Sequence, residues 1–75
     1  MPVTVYSKPS CPACMMTKKT LDKHRIAYET VDISQDKDAY DYVIGLGYKE
    51  APVVVTDDDH WAGFRPERIK ALGLI

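Results

Sequence analysis

The chain has 75 residues, a hydrophobic fraction of 45%, a charged fraction of 28% and a formal net charge of −1. This length predicts a single domain over residues 1–75, whose small core leaves its stability marginal. The charge forms no basic stripe, which argues against nucleic acid as a partner. No apolar run is long enough to span a membrane, and the N-terminus lacks the pattern of a signal peptide, so we expect a cytoplasmic protein. We also expect a monomer.

The first half of the chain predicts a strand, a helix and a second strand. Residues 3–6 are rich in β-branched and aromatic types, as a strand requires. A helix then starts with Cys11 as its N-cap, because Pro12 suits the first helical position, and it continues to about His24. Residues 27–33 predict the second strand.

The second half predicts two helices separated by a hairpin. The predicted elements are, in order, a helix capped by Ser34 or Asp36 and ended by Gly47, a strand over residues 51–56, a hairpin-paired strand over residues 60–64, and a helix from Pro66 to Gly73. The order βαβαββα indicates an α/β fold. We predict a four-stranded mixed sheet flanked by three helices, with helices on both faces.

Cys11 and Cys14 are the only cysteines and form a C-x-x-C motif. Positions i and i+3 of a helix are neighbours on one face, so the two thiols can form a disulfide. The N–H groups of a first helical turn lower the pKa of a thiol at the cap, and Lys8 adds positive charge nearby. We therefore expect Cys11 to be the exposed, attacking thiolate and Cys14 to be the more buried, resolving thiol of a disulfide reductase.

A metal or cluster site is the competing interpretation of this motif. Two cysteines supply half of a tetrahedral zinc site, and the only histidines, His24 and His60, lack the spacing of a zinc finger. Such a site would have to bridge two chains, and we expect neither a metal nor a bound cofactor. Met15 and Met16, which follow the motif, are interpreted as packing residues of the helix rather than as a recognition surface, although one of them could lie beside the exposed thiol.

Two later segments carry a resemblance to a known family. Ala51-Pro52 precedes a valine-rich strand, and the chain continues with the run Trp61-Ala62-Gly63-Phe64-Arg65-Pro66. Together with the strand, C-x-x-C and helix at the start, these segments resemble the NrdH-redoxins, which are glutaredoxin-like proteins with thioredoxin-like activity. The resemblance covers essentially the whole chain. It implies a thioredoxin fold and a cis peptide bond between Ala51 and Pro52 that faces the active site.

The resemblance also implies a function and partners. NrdH-redoxins donate electrons to class Ib ribonucleotide reductase, through its large subunit, and are reduced by thioredoxin reductase, so that NADPH is used indirectly. We expect Phe64 to be mainly a core residue, and Trp61 and Arg65 to be either structural or partner-facing. The partner-binding residues that we expect around the two cysteines are Lys8, Pro12, Ala13, Ala51, Pro52, Trp61, Gly63, Phe64 and Arg65.

A glutathione-dependent glutaredoxin is the alternative within the same chemistry. Lys8 and Pro52 match the glutathione site of that family, but Phe64 replaces a glycine of its Gly-Gly-x-x-Asp segment and no aspartate follows. We therefore expect poor glutathione binding. The chain also departs from NrdH-redoxins, since Pro12-Ala13 stands where Val-Gln is frequent and Ala62 stands where serine is usual.

Overall fold

The computed structural model describes residues 3–73, and its elements follow the predicted order. They are β1 (Thr4–Ser7), α1 (Pro12–Lys23), β2 (Glu29–Asp32), α2 (Lys37–Gly45), β3 (Val53–Val55), β4 (His60–Ala62) and α3 (Pro66–Leu72). The four strands form one sheet in the order β2-β1-β3-β4, in which β1 is parallel to β2 and antiparallel to β3, and β3 is antiparallel to β4. The mixed sheet is therefore as predicted. Within residues 3–73 we find no helix with the length and apolarity needed to cross a bilayer.

One face of the sheet packs against α1 and α3. Val5 pairs with Val54, and Val54 pairs with Trp61, so these three side chains lie on the same face. They form one core cluster with Leu21 of α1 and Ile69 of α3, and both of these helix residues are fully buried. Full burial of such an aliphatic side chain contributes about 1.5–3 kcal/mol, which makes this cluster the main source of stability.

The opposite face of the sheet packs against α2. The ring of Tyr6 in β1 lies 5.6 Å, between centroids, from the ring of Tyr42 in α2, and Val53 on the same face is fully buried. Burial raises the pKa of Tyr6, with smaller contributions from Tyr42 and Asp36. Helices therefore cover both faces, as the sequence predicts.

Strands β3 and β4 are shorter than predicted. β3 begins at Val53 rather than at residue 51, because Pro52 has no N–H to donate to a ladder. β4 ends at Ala62 rather than at Phe64, because Gly63 takes a φ of +82° and leaves the extended conformation. The Gly63 N–H then donates to the Pro52 carbonyl at 2.8 Å, which ties the ends of the two strands together.

Asp36, rather than Ser34, caps α2. The Asp36 carboxylate accepts a hydrogen bond from the Ala39 N–H at 3.0 Å, which satisfies a free donor of the first turn. Ser34 instead donates its hydroxyl and its N–H to the Asp32 carboxylate, at 2.6 and 2.8 Å. These two hydrogen bonds lower the pKa of Asp32 and fold the turn between β2 and α2.

Gly47 ends α2 in the conformation that the sequence predicts. It has a φ of +97°, and its N–H donates to the Ile44 carbonyl at 2.9 Å. The next N–H, of Tyr48, donates to the Val43 carbonyl at 3.3 Å. These two bonds are those of a Schellman motif, for which glycine is the usual residue.

Helix α1 ends in the same motif without a glycine. Arg25 has a φ of +56° and donates its N–H to the Asp22 carbonyl at 3.0 Å, and the Ile26 N–H donates to the Leu21 carbonyl at 3.0 Å. Ile26 packs against the core cluster, so the chain must turn at this point. A Cβ in the left-handed region is sterically unfavourable, and Arg25 therefore carries local strain.

Replacing Arg25 with glycine should stabilise the fold by about 1 kcal/mol, because glycine adopts a positive φ without the steric cost. The measurement is the free energy of unfolding from urea denaturation. Arg25→Ala is the matched control, since it removes the guanidinium but keeps the Cβ. If Arg25→Ala stabilises the protein as much as Arg25→Gly, the effect comes from the charge and the backbone argument is wrong.

Candidate active site

The two cysteines lie at the start of α1, just after the loop that follows β1. Ser10 takes a left-handed conformation with a φ of +57°, which turns the chain so that Cys11 becomes the N-cap of α1. Pro12 occupies the first helical position, as predicted. Cys11 and Cys14 are joined by a disulfide, and their Cα atoms are 5.2 Å apart. This separation lies inside the range that a disulfide needs.

The Cys11 sulfur takes the place of the side-chain oxygen of an ordinary N-cap. The Cys14 N–H donates a hydrogen bond to the Cys11 Sγ at 3.1 Å. When the disulfide opens, a thiolate at Cys11 receives the same hydrogen bond, now assisted by charge, at the positive end of the helix dipole. The geometry therefore stabilises negative charge on Cys11, which is the chemistry of a thiol–disulfide exchange site.

Cys11 is buried, and the expectation that it is exposed was wrong. Its relative exposure is 6%, against 2% for Cys14. The segment before β3 accounts for this burial, since the Ala51 carbonyl oxygen lies 3.8 Å from the Cys11 Sγ. The order of exposure is as predicted, but a partner sulfur has only a small part of the Cys11 surface through which to attack.

The peptide bond between Ala51 and Pro52 is cis, as the resemblance implies. Pro52 is fully buried, and its carbonyl is occupied by the Gly63 N–H. The Ala51 carbonyl faces the sulfur of Cys11 instead. The Pro52 carbonyl therefore fixes the end of the strand, whereas the Ala51 carbonyl borders the active site.

A groove of about 210 Å³ extends from Ala51 along α2. Its apolar wall includes Tyr40, Ile44 and Tyr48, and its charged lining residues are Lys8, Lys49 and Glu50. Lys8 is exposed and lines the same groove as Ala51. The groove is thus a mainly apolar surface that is continuous with the backbone beside the disulfide.

Sequence reasoning did not identify the residues of this groove on α2. A signal for two of them was present in the pattern of the helix. Ala39 and Val43 form its buried face, yet Tyr40 and Ile44 add a second apolar pair four residues apart on the exposed side. Core packing requires only the buried face of α2, so it does not explain the exposed pair.

Trp61 lies in the core and does not face the surface. Its side chain is 4% exposed, and the guanidinium of Arg68 in α3 lies 5.5 Å from the ring centroid. Arg68 also pairs with Asp59 at 2.9 Å, so it connects the hairpin turn to the last helix. The indole Nε1 is buried and has no hydrogen-bond partner. Of the two roles expected for Trp61, the packing supports the structural one.

The other predicted residues differ in their exposure. Phe64 is half-buried and packs against the core cluster, whereas Arg65 is exposed and donates from its Nε to the Ala62 carbonyl at 3.4 Å. Pro12 is exposed beside Cys11. Ala13 is half-buried, and its carbonyl accepts the Thr17 hydroxyl at 2.8 Å.

Met15 and Met16 do not pack into the fold, and the interpretation of them as packing residues was wrong. Their relative exposures are 58% and 46%. The buried stripe of α1 consists of Cys14, Thr17 and Leu21, at spacings of three and four residues. This spacing turns the two methionines toward the opposite side of the helix.

The described residues 3–73 contain no group of three or more His, Cys, Asp or Glu side chains that could hold a metal ion. Both sulfurs of the C-x-x-C motif are bonded to each other. The arrangement provides a two-electron dithiol/disulfide couple at a helix N-terminus.

Comparison with known proteins agrees with this chemistry. The Glutaredoxin family profile matches residues 3–61. The glutaredoxin-like protein NrdH of Lactococcus lactis is 41% identical over 70 residues, which cover 93% of this chain and 97% of the relative. NrdH of Salmonella typhimurium is 33% identical over 72 residues, which cover 96% of this chain and 89% of the relative.

A solved structure of a relative has the same fold. It is the glutaredoxin-like NrdH-redoxin of Escherichia coli, described as having a thioredoxin-like activity profile. It superposes with a TM-score of 0.93 at 29% identity and covers 96% of this chain and 95% of its own. The chain therefore belongs to the glutaredoxin family, as an NrdH-type thiol oxidoreductase of thioredoxin fold with Cys11 and Cys14 as its redox-active pair.

Proposed function

We propose that the protein is a dithiol electron donor in which Cys11 is the nucleophile and Cys14 the resolving thiol. The observation that carries the proposal is the hydrogen bond from the Cys14 N–H to the Cys11 Sγ at the start of α1. That hydrogen bond and the helix dipole act on Cys11, so the thiolate forms at this position. Cys14 lies one turn further along, at the distance from which it can attack Cys11.

The reaction consists of two exchanges. The Cys11 thiolate attacks one sulfur of the partner's disulfide, the disulfide breaks, and the other partner sulfur leaves and takes up a proton. Cys14 then loses its proton and attacks the Cys11 sulfur, which breaks the mixed disulfide, and the partner sulfur that is released takes up a proton in exchange. The partner leaves with two thiols, and the protein keeps the Cys11–Cys14 disulfide. Two electrons have moved to the partner, and a reductase must return two.

The partner segment is proposed to approach as an extended chain beside Ala51. The Ala51 carbonyl borders the sulfur, and an extended segment could pair with this backbone as an added strand. The apolar wall of the groove offers contacts for its side chains, and Lys8 offers a positive charge. Pro12, Ala13, Pro52, Gly63 and Arg65 are proposed to complete the partner-binding surface, with Trp61 and Phe64 supporting it by packing.

The client and the reductase follow from the family. We propose the large subunit of class Ib ribonucleotide reductase as the client and thioredoxin reductase, which uses NADPH, as the reductase. The support is the near full-length likeness to proteins named NrdH, and the thioredoxin-like activity profile attributed to the Escherichia coli NrdH-redoxin. A dithiol donor of this kind works in the reducing cytoplasm, as one domain of residues 1–75 without a bound cofactor.

Glutathione is proposed to be a poor reductant because of the segment after β4. Gly63 has the positive φ of a tight turn, and its N–H is used by Pro52. Phe64 follows where glutaredoxins have a second glycine, and its ring is held against the core cluster. Close approach of a peptide ligand to this backbone is therefore hindered, and Glu67 stands in place of the aspartate.

Serine at each cysteine should separate the two roles. Cys11→Ser should lower disulfide reduction roughly 100-fold or more, because the nucleophile is lost. Cys14→Ser should retain the first exchange and accumulate the mixed disulfide on Cys11, because the second exchange cannot follow. Mass spectrometry of the protein after mixing with a disulfide-containing peptide measures the adduct. An adduct that forms on Cys14 in the Cys11→Ser protein at the native rate would reverse the assignment.

A coupled assay should identify the reductase. NADPH oxidation with thioredoxin reductase should have a kcat/KM about tenfold or more above that with glutathione and glutathione reductase. The double substitution Phe64→Gly with Glu67→Asp should raise the glutathione-dependent rate, because it restores the glutaredoxin segment, and Glu67→Asp alone is its control. Efficient reduction of the native protein by glutathione, without turnover by thioredoxin reductase, would favour the glutaredoxin alternative.

A further inference from the structure

Helix α1 begins with exposed apolar side chains that do not pack into the core. Pro12, Met15 and Met16 lie at positions i, i+3 and i+4, opposite the buried stripe, and all three are exposed. Lys19 continues the same face one turn further on. We call Pro12, Met15, Met16 and Lys19 the methionine surface. Neighbouring exposed apolar side chains of this kind are candidates for contact with another molecule.

The methionine surface lies within the area that a protein forming a disulfide with Cys11 would cover. A mixed disulfide places the Cα atom of the partner's cysteine about 4.4–6.8 Å from that of Cys11. A helix rises about 1.5 Å per residue, so Met16 lies about 8 Å and Lys19 about 12 Å along the axis from Cys11. A protein interface of ordinary size buries about 800 Å² on each side, a patch of roughly 16 Å radius. Such a patch reaches the whole surface.

The charges around the methionine surface select an acidic partner. Residues 8–25 carry five cations, Lys8, Lys18, Lys19, Lys23 and Arg25, against one anion, Asp22. The ion pairs recorded in residues 3–73 join Lys37 to Asp41 and Arg68 to Asp59, so they do not engage these cations. In contrast, residues 29–59 carry nine acidic side chains and two lysines. Lys18 is half-buried and its charge acts on the Asp32 carboxylate, whereas Lys8, Lys19, Lys23 and Arg25 are exposed and available to carboxylates of a partner.

We propose that the methionine surface docks the protein partner that reduces the Cys11–Cys14 disulfide, and that this partner presents an apolar depression rimmed by carboxylates beside its own exchanging thiols. A reducing partner acts on the Cys11–Cys14 disulfide, and Cys11 caps the same helix that carries the methionine surface. Methionine is unbranched and polarizable, and it fills irregular apolar surfaces well. The proposal rests on the proposed function and adds which face of the molecule the reducing partner contacts.

The methionines are predicted to determine partner affinity and to leave the sulfur chemistry unchanged. Met15→Gln with Met16→Gln should raise the KM of thioredoxin reductase for the oxidised protein about tenfold, with little change in kcat. The reduced double variant should react with the small disulfide dithiobisnitrobenzoate at the native rate, because this reagent needs no docking surface. Met15→Leu with Met16→Leu keeps the apolar surface and should stay close to the native KM. The measurement is the initial rate of NADPH oxidation with the oxidised protein as the varied substrate.

A charge substitution tests the acidic rim. Lys19→Glu should raise the same KM several-fold and weaken its dependence on salt, because an attraction between opposite charges is replaced by repulsion. Lys37→Glu on α2 is the control, since it changes the net charge equally on another helix and should have a much smaller effect.

The outcomes separate this proposal from the proposed function. If native protein is reduced efficiently and the glutamine and Lys19→Glu variants keep the native KM, the methionine surface is not the docking site, although the proposed function stands. A glutamine variant that loses reactivity toward dithiobisnitrobenzoate as well would place its effect on the thiol and overturn the docking role. If thioredoxin reductase does not reduce the native protein, the proposed function and the docking proposal fall together.

Discussion

A single hydrogen bond between two residues of the same helical turn organises the site. The Cys14 N–H reaches the Cys11 Sγ because Cys11 is the N-cap and Pro12 starts the helix directly after it. The same geometry places the two sulfurs within bonding distance and gives them different surroundings. Sulfur as the capping atom thus links folding to chemistry, since the group that begins the helix is also the group that the helix stabilises as an anion.

The sheet serves mainly to hold this helix start against the Ala51 segment. Leu21 anchors α1 to the core cluster, and the hydrogen bond from Gly63 to Pro52 anchors the segment that covers Cys11. Both sides of the site therefore rest on rigid elements. Preorganisation of this kind keeps the carbonyl of Ala51 beside the sulfur without depending on a mobile loop.

The order of elements and both cysteine positions could be predicted because they depend on local signals. Pro12 marks a helix start and Gly47 a helix end through their own backbone preferences. Arg25 takes the same conformation as Gly47 without any such preference, since the packing of Ile26 imposes it. A single sequence does not reveal a strain that tertiary contacts impose.

Features that depend on distant segments were not predictable in the same way. The burial of Cys11 comes from Ala51, which is forty residues away in the chain. The choice of Asp36 over Ser34 as a cap is local by contrast, since it depends on whether the nearby Asp32 carboxylate engages the serine, but both residues are good caps by type. The exposure of Met15 follows from the spacing of the buried stripe of α1. The apolar character of methionine taken alone favours a core position instead.

The contact between Arg68 and Trp61 has a consequence for spectroscopy. Trp61 is the only tryptophan of the chain, and it is shielded from water with a cation 5.5 Å from its ring centroid. When α3 separates from the sheet, the indole becomes exposed to water and at the same time loses its contact with the Arg68 guanidinium. Its fluorescence therefore offers a built-in optical signal for the integrity of the hydrophobic layer beneath α3, with no label added.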